Sequence, residues 1–386
     1  MTAKSHDVVI IGGGVIGLSC AYALARAGAS VCVLEQHLPG GAQSTKTGGG
    51  VRLSHGSKAN VELTRLSLPT WDAFAEEFGV DVRYRQTGHL FLTSKETSKA
   101  FLAAQALWHR EENVPSVIMS EGEIAGKWPH LETLDFSLGS YCSVGGYLDH
   151  HRVILGYQTA LLRTGADLDI GVRVEGVIER GGRICGVETS VGPYQAQHVV
   201  NAAGASAGVI AAYASLSIPF VSRRHELLIA RPDRPVPDET PWLIDMDRQV
   251  HLRPDGQGRC LIGGFLGKDE PTDPTRYARE NTQDWLDAAR AAASEAFGLT
   301  APDSLIVDGW AGLYPGTLDY LPVIEELRPG FVTAAGFSGT GLMHAPAVGR
   351  IVCDLIQKGA TDDIDISQFR SARFEKAAET AERTGF

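Results

Sequence analysis

Val8-Val9-Ile10-Ile11-Gly12-Gly13-Gly14-Val15-Ile16-Gly17-Leu18 is the stretch from which the fold can be read. Val8–Ile11 is wholly apolar, the pattern of a strand buried on both faces. Gly12–Gly17 satisfies G-x-G-x-x-G and opens an Ala-rich helical run, Leu18–Ala27, which Gly28 stops. Ser30–Leu34 reads as a second strand, completing a βαβ unit of about 30 residues. In that context Gly12 permits the tight turn, Gly14 lets a pyrophosphate touch backbone, and Gly17 allows the helix to pack closely on the strand. The helix start at Val15 and Ile16 supplies unpaired N–H groups and about half a positive charge. Glu35, followed by Gln36, ends the second strand, where a carboxylate accepts from ribose hydroxyls and repels a 2′-phosphate. A glycine-rich turn without nucleotide is the competing reading. The pattern leaves FAD and NAD open.

Glycine is also the unusual number in the composition: 44 of 386 residues, where average usage of roughly 7% gives about 27. Proline is ordinary at 18, and no Gly-X-Y period appears. The surplus is therefore expected in loops where backbone approaches a ligand. With 44% hydrophobic and 21% charged residues, the chain can bury one or two full cores. The net charge of −11, from 35 basic and 46 acidic residues, would repel a nucleic-acid backbone. Cys20, Cys32, Cys142, Cys185, Cys260 and Cys353 are scattered without metal spacing, as buried thiols in a reducing compartment would be. No metal site is expected. The opening MTAKSHD leaves no room for a signal peptide, and no apolar run reaches the ~20 residues of a membrane span. A cytoplasmic protein is predicted.

Further along, a helix is expected over Asn60–Phe78, broken near Pro69 and closed by Gly79. Thr93 and Glu96 suggest a capping box for a helix to about Glu112. Strands are expected at Asp167–Ile170, Arg173–Glu179, Arg183–Thr189 and His198–Asn201, with a turn at Gly181-Gly182. More strands follow over 218–265, an amphipathic helix over 281–297, and a last helix from Gly341 to Gln357. Nucleotide-like segments at both ends with strand-rich material between them predict interleaved domains.

Three further segments narrow the reading: Ser44-Thr45-Lys46-Thr47-Gly48-Gly49-Gly50-Val51-Arg52, Val199-Val200-Asn201-Ala202-Ala203-Gly204-Ala205 and Gly336-Phe337-Ser338-Gly339-Thr340-Gly341-Leu342-Met343. In this order, from Val8 to about Ile356, the chain resembles the flavoprotein family of D-amino-acid oxidase, glycine oxidase and sarcosine oxidase. Arg85–Leu92 and Ala345-Pro346-Ala347-Val348-Gly349 look closest to the β-subunits of heterotetrameric sarcosine oxidase and related amino-acid dehydrogenases. The resemblance implies an α/β fold: a Rossmann-like FAD-binding domain interleaved with a mostly antiparallel-sheet substrate domain. The expected boundaries are 1–80, 145–217 and 305–386 for the first, and 81–144 and 218–304 for the second.

Several cofactor contacts are implied by the same resemblance. Ser44, Thr45 and Gly48–Gly50 would pass the phosphates and the isoalloxazine ring, where any Cβ at the glycines would collide. Val174 matches the position whose main chain meets the adenine, and Ala203 and Gly204 face the pyrophosphate side. Gly336, Ser338, Gly339, Thr340, Gly341, Leu342 and Met343 lead into a helix whose N–H groups face the flavin N1/C2=O edge; a plain helix start is the alternative. Gly309–Thr317 lacks the cysteine that tethers FAD in monomeric sarcosine oxidases, so FAD is expected to be non-covalent. Met343 and Leu261 stand where those enzymes carry lysines for substrate carboxylate and for oxygen, which tilts the expectation toward a dehydrogenase. His150 falls near the histidine that holds FMN in heterotetrameric sarcosine oxidase; a chance match is the competing reading.

The implied reaction oxidises a C–N bond of an amino acid or secondary amine by hydride transfer to flavin N5, giving an imine that hydrolyses. Arg52 is the candidate cation for a substrate carboxylate, against a role serving FAD alone. His55 occupies the family position of a carboxylate-binding arginine. His225 and His251, on expected substrate-domain strands, could tune amine deprotonation, although a lone strand histidine is more often structural. Tyr314 could reach the carboxylate or simply pack at a domain seam. The expected partners are a small amino-acid or amine substrate and either oxygen or an electron-accepting protein. The alternative is a β-type subunit that passes electrons within a hetero-oligomer.

Overall fold

A computed structural model describes residues 4–132, 134–266, 270–299 and 306–375. Its mixed α/β architecture contains two eight-stranded sheets and a two-stranded ribbon among the described residues. In the first sheet Lys4–Ile11 lies centrally, parallel to Val31–Glu35 on one side and to Tyr194–Asn201 on the other. The order continues outward through Asp167–Ile170 at one end and through Phe331–Ala335 and Val323–Arg328 at the other.

The apolar run at Val8–Ile11 fits this position by its alternation. Val8 and Ile10 pack into the larger core with helices Val15–Arg26, His150–Arg163 and Gly341–Lys358. Val9 and Ile11 point the other way, against Leu34, Val172, Val174, Ile184 and Tyr194. All four are buried, and each buried side chain contributes roughly 1.5–3 kcal/mol. A strand with one wet face could not carry this sequence.

The second sheet runs Ile306–Gly316, Val221–Ala230, Arg259–Gly264, Val250–Gly256, Trp242–Asp245, His89–Thr93, Leu138–Cys142 and Ser116–Ser120. Its pairings are antiparallel except Trp242–Asp245 against His89–Thr93, which is parallel. Helix Gln283–Phe297 packs on one face through Trp285, Ala289, Ala293 and Phe297. The ribbon Gly50–Arg52 with Gly145–Tyr147 begins at the last glycine of the Gly48–Gly50 cluster.

Three expectations change. Ile306–Gly316, placed by sequence in the first unit, pairs with Val221–Ala230 from Ile306↔Ala230 to Gly316↔Val221 and so belongs to the second sheet; the expected boundary at 304/305 lies outside the described residues. The Thr93–Glu96 capping box does not form. Thr93 ends a strand, and its hydroxyl donates to Asp247 Oδ1 at 2.7 Å, leaving Lys95 as an N-cap without a side-chain bond. A capping box occurs instead at Ser120 and Glu123. The last expected strand of the middle section is longer than His198–Asn201, starting at Tyr194.

The helix after the ribbon divides into Lys58–Asp72, with Pro69 inside it, and Phe74–Phe78, closed by Gly79 at φ +75°. Gly181 and Gly182 both take left-handed φ in the expected turn.

Candidate active site

At the dinucleotide loop, backbone presses on backbone. Gly12 has φ +107°, and a Cβ there would lie 2.6 Å from the Ala202 carbonyl oxygen. A Cβ on Gly17 would sit 1.9 Å from the Gly12 carbonyl oxygen. Helix Val15–Arg26 starts at Gly14 with no side-chain cap of its own. Ser44 supplies one from outside, accepting from Val15 N at 3.0 Å; the next first-turn N–H groups, Ile16 and Gly17, have no intrahelical acceptor. Glu35 lies across the loop, accepting from Gly13 N at 2.8 Å and His37 N at 2.7 Å. A Cβ at Gly204 would enter open space beside half-buried Ala203. First-turn donors, a hydroxyl and a strand-end carboxylate form the donor and acceptor set that fits a pyrophosphate and a ribose.

Thr45, Gln36 and Val174 complete the implied set. Thr45 staples its own loop, its hydroxyl donating to Gly40 O at 2.9 Å. Gln36 is exposed, and Val174 is buried against the first sheet.

The second part of the site is a cavity of about 820 Å³, including the portion open to solvent, where the Gly48 loop, the second sheet and the Ser338–Thr340 turn meet. Helix Gly341–Lys358 begins at this turn with Thr340 as an N-cap that makes no side-chain cap bond, so its first-turn N–H groups lack intrahelical acceptors. Ser338 holds φ +51°, uncommon for a residue with a Cβ. Leu342 is buried beside the turn, and Met343 lines the cavity.

The glycine cluster answers to the protein rather than to a ring alone. Cβ atoms on Gly48 and Gly50 would lie 2.7 and 3.1 Å from the Trp242 ring, and one on Gly49, at φ +79°, would lie 2.2 Å from Leu148 O. Gly48 and Gly50 nevertheless line the cavity. Arg253, almost wholly buried, ties the loop to the second sheet by donating from Nε to Gly48 O at 2.7 Å, with its guanidinium over Tyr147 and Trp242. Gly339 faces the Tyr314 ring, 2.6 Å from a notional Cβ, and Gly336 faces Phe220 at 2.8 Å.

Of the five catalytic candidates, Arg52, His251 and Tyr314 line the cavity, while His55 and His225 do not. Arg52 is buried, with its guanidinium 5.6 Å from the Phe91 ring centre. His55 lies behind it, fully buried, with Nδ1 3.4 Å from Arg52 Nη2. His225 stands behind Tyr314, ring centres 4.3 Å apart, with Phe265 against its other side. Burial followed by the Arg253 charge pushes His251 down to about 3. Burial raises the Tyr314 phenol against the opposing pull of Arg52. His150 starts helix His150–Arg163 and is held near 4 by burial and by His151; it does not line the cavity.

Sequence reasoning missed His89, Trp242, Asn60 and Tyr320, all of which line the cavity. His89 and Trp242 are direct partners in the parallel pair of strands, and their rings stack 5.5 Å apart at 15°. Burial, then the Arg52 charge, keeps His89 well below the ordinary histidine range. His89 opens an apolar run, Leu90-Phe91-Leu92, and that was the available signal; Trp242 had none. Among the described residues, no carboxylate and no cation besides Arg52 lines the cavity, and no group of His, Cys, Asp and Glu is placed to hold a metal ion.

Known proteins resemble this chain over nearly its whole length. The chain is 26% identical to glycine oxidase of Pseudomonas putida, covering 94% of this chain and 97% of that protein. It is 28% identical to 4-methylaminobutanoate oxidase (formaldehyde-forming) of Paenarthrobacter nicotinovorans over 97% of its own length, spanning 47% of that longer relative. The L-proline dehydrogenase structure from P. horikoshii superposes with a TM-score of 0.87 at 28% identity, covering 97% of this chain and 99% of that one. The family profile described as FAD dependent oxidoreductase matches residues 7–355. That match spans nearly the whole chain, so the chain belongs to the DAO family of FAD-dependent oxidoreductases.

Proposed function

We propose that this enzyme oxidises the C–N bond of a small amino acid or N-alkyl amino acid with FAD held non-covalently. The observation that carries the reading is one buried guanidinium, Arg52, facing a cavity whose other side chains are all uncharged: neutral imidazoles, aromatic rings, apolar groups, hydroxyls and the Asn60 amide. A lone cation in that setting selects a carboxylate and orients it. His89 and His251 are neutral at pH 7, and the Nδ1 atom of each is buried without a partner. Such an atom can accept a hydrogen bond from an amine N–H. Positive charge on the imidazoles is disfavoured, so a neutral amine is the form that the pocket favours. Trp242, Leu227, Ile244 and Met343 exclude water around the α-carbon.

FAD, when bound, supplies the two-electron acceptor. The chain's own contribution is placement and electrostatics, not a strong base. The imine formed between the α-carbon and its nitrogen hydrolyses to a carbonyl compound and an amine or ammonia. Leu261, fully buried, and Met343 provide no cation at the positions that carry lysines in monomeric sarcosine oxidases. An acceptor other than oxygen follows, with a partner subunit as the alternative destination of the electrons.

Anaerobic titration of the purified holoprotein with secondary amines and D- and L-amino acids tests the reading. Bleaching of the flavin band by a carboxylate-bearing amine is expected. If none of the panel bleaches it, the proposal is wrong.

A further inference from the structure

Behind Arg52 runs a buried line of polar groups from four parts of the chain. Arg52 ends the ribbon strand Gly50–Arg52, His55 follows it, Thr64 lies on helix Lys58–Asp72, and His344 lies in the first turns of helix Gly341–Lys358. His55, Thr64 and His344 are completely inaccessible to solvent. The distances are 3.4 Å from Arg52 Nη2 to His55 Nδ1, 3.1 Å from His55 Nε2 to Thr64 Oγ1, and 3.0 Å from Thr64 Oγ1 to His344 Nε2. His109, on helix Glu96–Glu111, donates from Nε2 to the His55 carbonyl at 2.8 Å and fixes that turn of backbone.

The permanent charge of Arg52 favours one direction along this line. A guanidinium only donates, so its contact with His55 Nδ1 favours an accepting Nδ1, in competition with the Arg52 backbone, which also hydrogen-bonds the ring. A neutral imidazole that accepts at Nδ1 carries its proton on Nε2, which then donates to Thr64 Oγ1. The threonine hydroxyl passes its own proton to His344 Nε2. The same two helices are tied at the cavity by Trp71 Nε1 donating to Met343 O at 3.0 Å and by Ala347 N donating to Ser67 Oγ at 3.2 Å.

We infer that Thr64 is a positioning residue: it holds His55 in the tautomer that accepts from Arg52, and so aims the guanidinium at the cavity from the start of helix Gly341–Lys358. The inference rests on the reading that Arg52 binds a substrate carboxylate. Thr64 touches neither cavity nor cofactor loop. Its replacement by valine keeps the shape and removes both hydrogen bonds.

The test uses the FAD-loaded enzyme with Thr64→Val and Thr64→Ser. Thr64→Val is expected to raise KM for a carboxylate-bearing amine about tenfold while kcat stays within about twofold; Thr64→Ser is expected to restore the wild-type KM. Histidine ¹⁵N spectra of the wild-type protein, with and without FAD, are expected to show His55 as the Nε2–H tautomer, and Thr64→Val to lose that preference. An unchanged KM in Thr64→Val, equal damage in valine and serine variants, or an Nδ1–H tautomer in the wild type would each overturn the inference. If the wild-type enzyme oxidises no carboxylate-bearing amine, the proposed function fails, while the tautomer spectra still decide the relay.

Discussion

The dinucleotide loop and the substrate cavity are built by opposite means. At Gly12–Gly17 the working parts are backbone groups within one short stretch, and the side chains matter chiefly by being absent. At the cavity the working parts are side chains, and they arrive from strands far apart in sequence. Trp242 and His89 meet only because Trp242–Asp245 pairs with His89–Thr93. Gly12 and Gly17 therefore tolerate almost no change in residue type, whereas the cavity can be retuned one wall at a time.

The largest effect is expected where backbone meets backbone. Gly17→Ala places a Cβ 1.9 Å from the Gly12 carbonyl oxygen, and neither atom belongs to a flexible side chain. A loss of at least 3 kcal/mol, about the size of severe core strain, together with loss of FAD, is expected in chemical denaturation and flavin-retention measurements. Normal stability and flavin content in this variant would erase the contrast. Next comes Arg52→Ala. Removing a buried cation from its carboxylate costs roughly 2–5 kcal/mol, so kcat/KM should fall by about 10²-fold or more for acidic amines while the fold survives.

Acid should act through the buried histidines. His251, held near 3, and His150, held near 4, both lie below the ordinary value of 6.5. Depressed folded values mean that the unfolded chain binds protons first. Stability should be flat above pH 6.5 and fall as the pH drops from 6.5 toward the folded values, by about 2 kcal/mol per histidine at pH 5. Urea titrations across this range should show a shallower decline in His251→Gln. The smallest change sharpens the comparison. Gly48→Ala meets the tip of the Trp242 ring at 2.7 Å, a clash of about 1–3 kcal/mol. In Gly48→Ala/Trp242→Phe much of that loss should return, because a side chain can yield where the Gly12 carbonyl cannot.

This division also explains what could be read in advance. The strand–loop–helix unit is specified by neighbours in sequence, so Val8–Ile11, Gly12–Gly17 and Glu35 were legible together. The helix start at Gly341 was legible for the same reason. The walls were not. His225 and His251 lie on strands of the same sheet, separated by Arg259–Gly264, yet only His251 reaches the cavity, and which way a strand side chain points depends on register. His55 carried a family position and a plausible role but turned inward, behind Arg52. The glycine cluster was legible as a close approach, while the identity of its neighbour, Trp242, depended on pairing nearly two hundred positions away.

The order of strands has a consequence for the history of such a chain. Strands of the first sheet come from 4–35, 167–201 and 323–335, and those of the second from 89–142, 221–264 and 306–316. The polypeptide passes from one sheet to the other four times. Neither layer can be excised, duplicated or exchanged as one continuous piece, and no single cut in the backbone releases either. Variation in what the enzyme oxidises must therefore accumulate by substitution within the walls, because the architecture offers no module to shuffle.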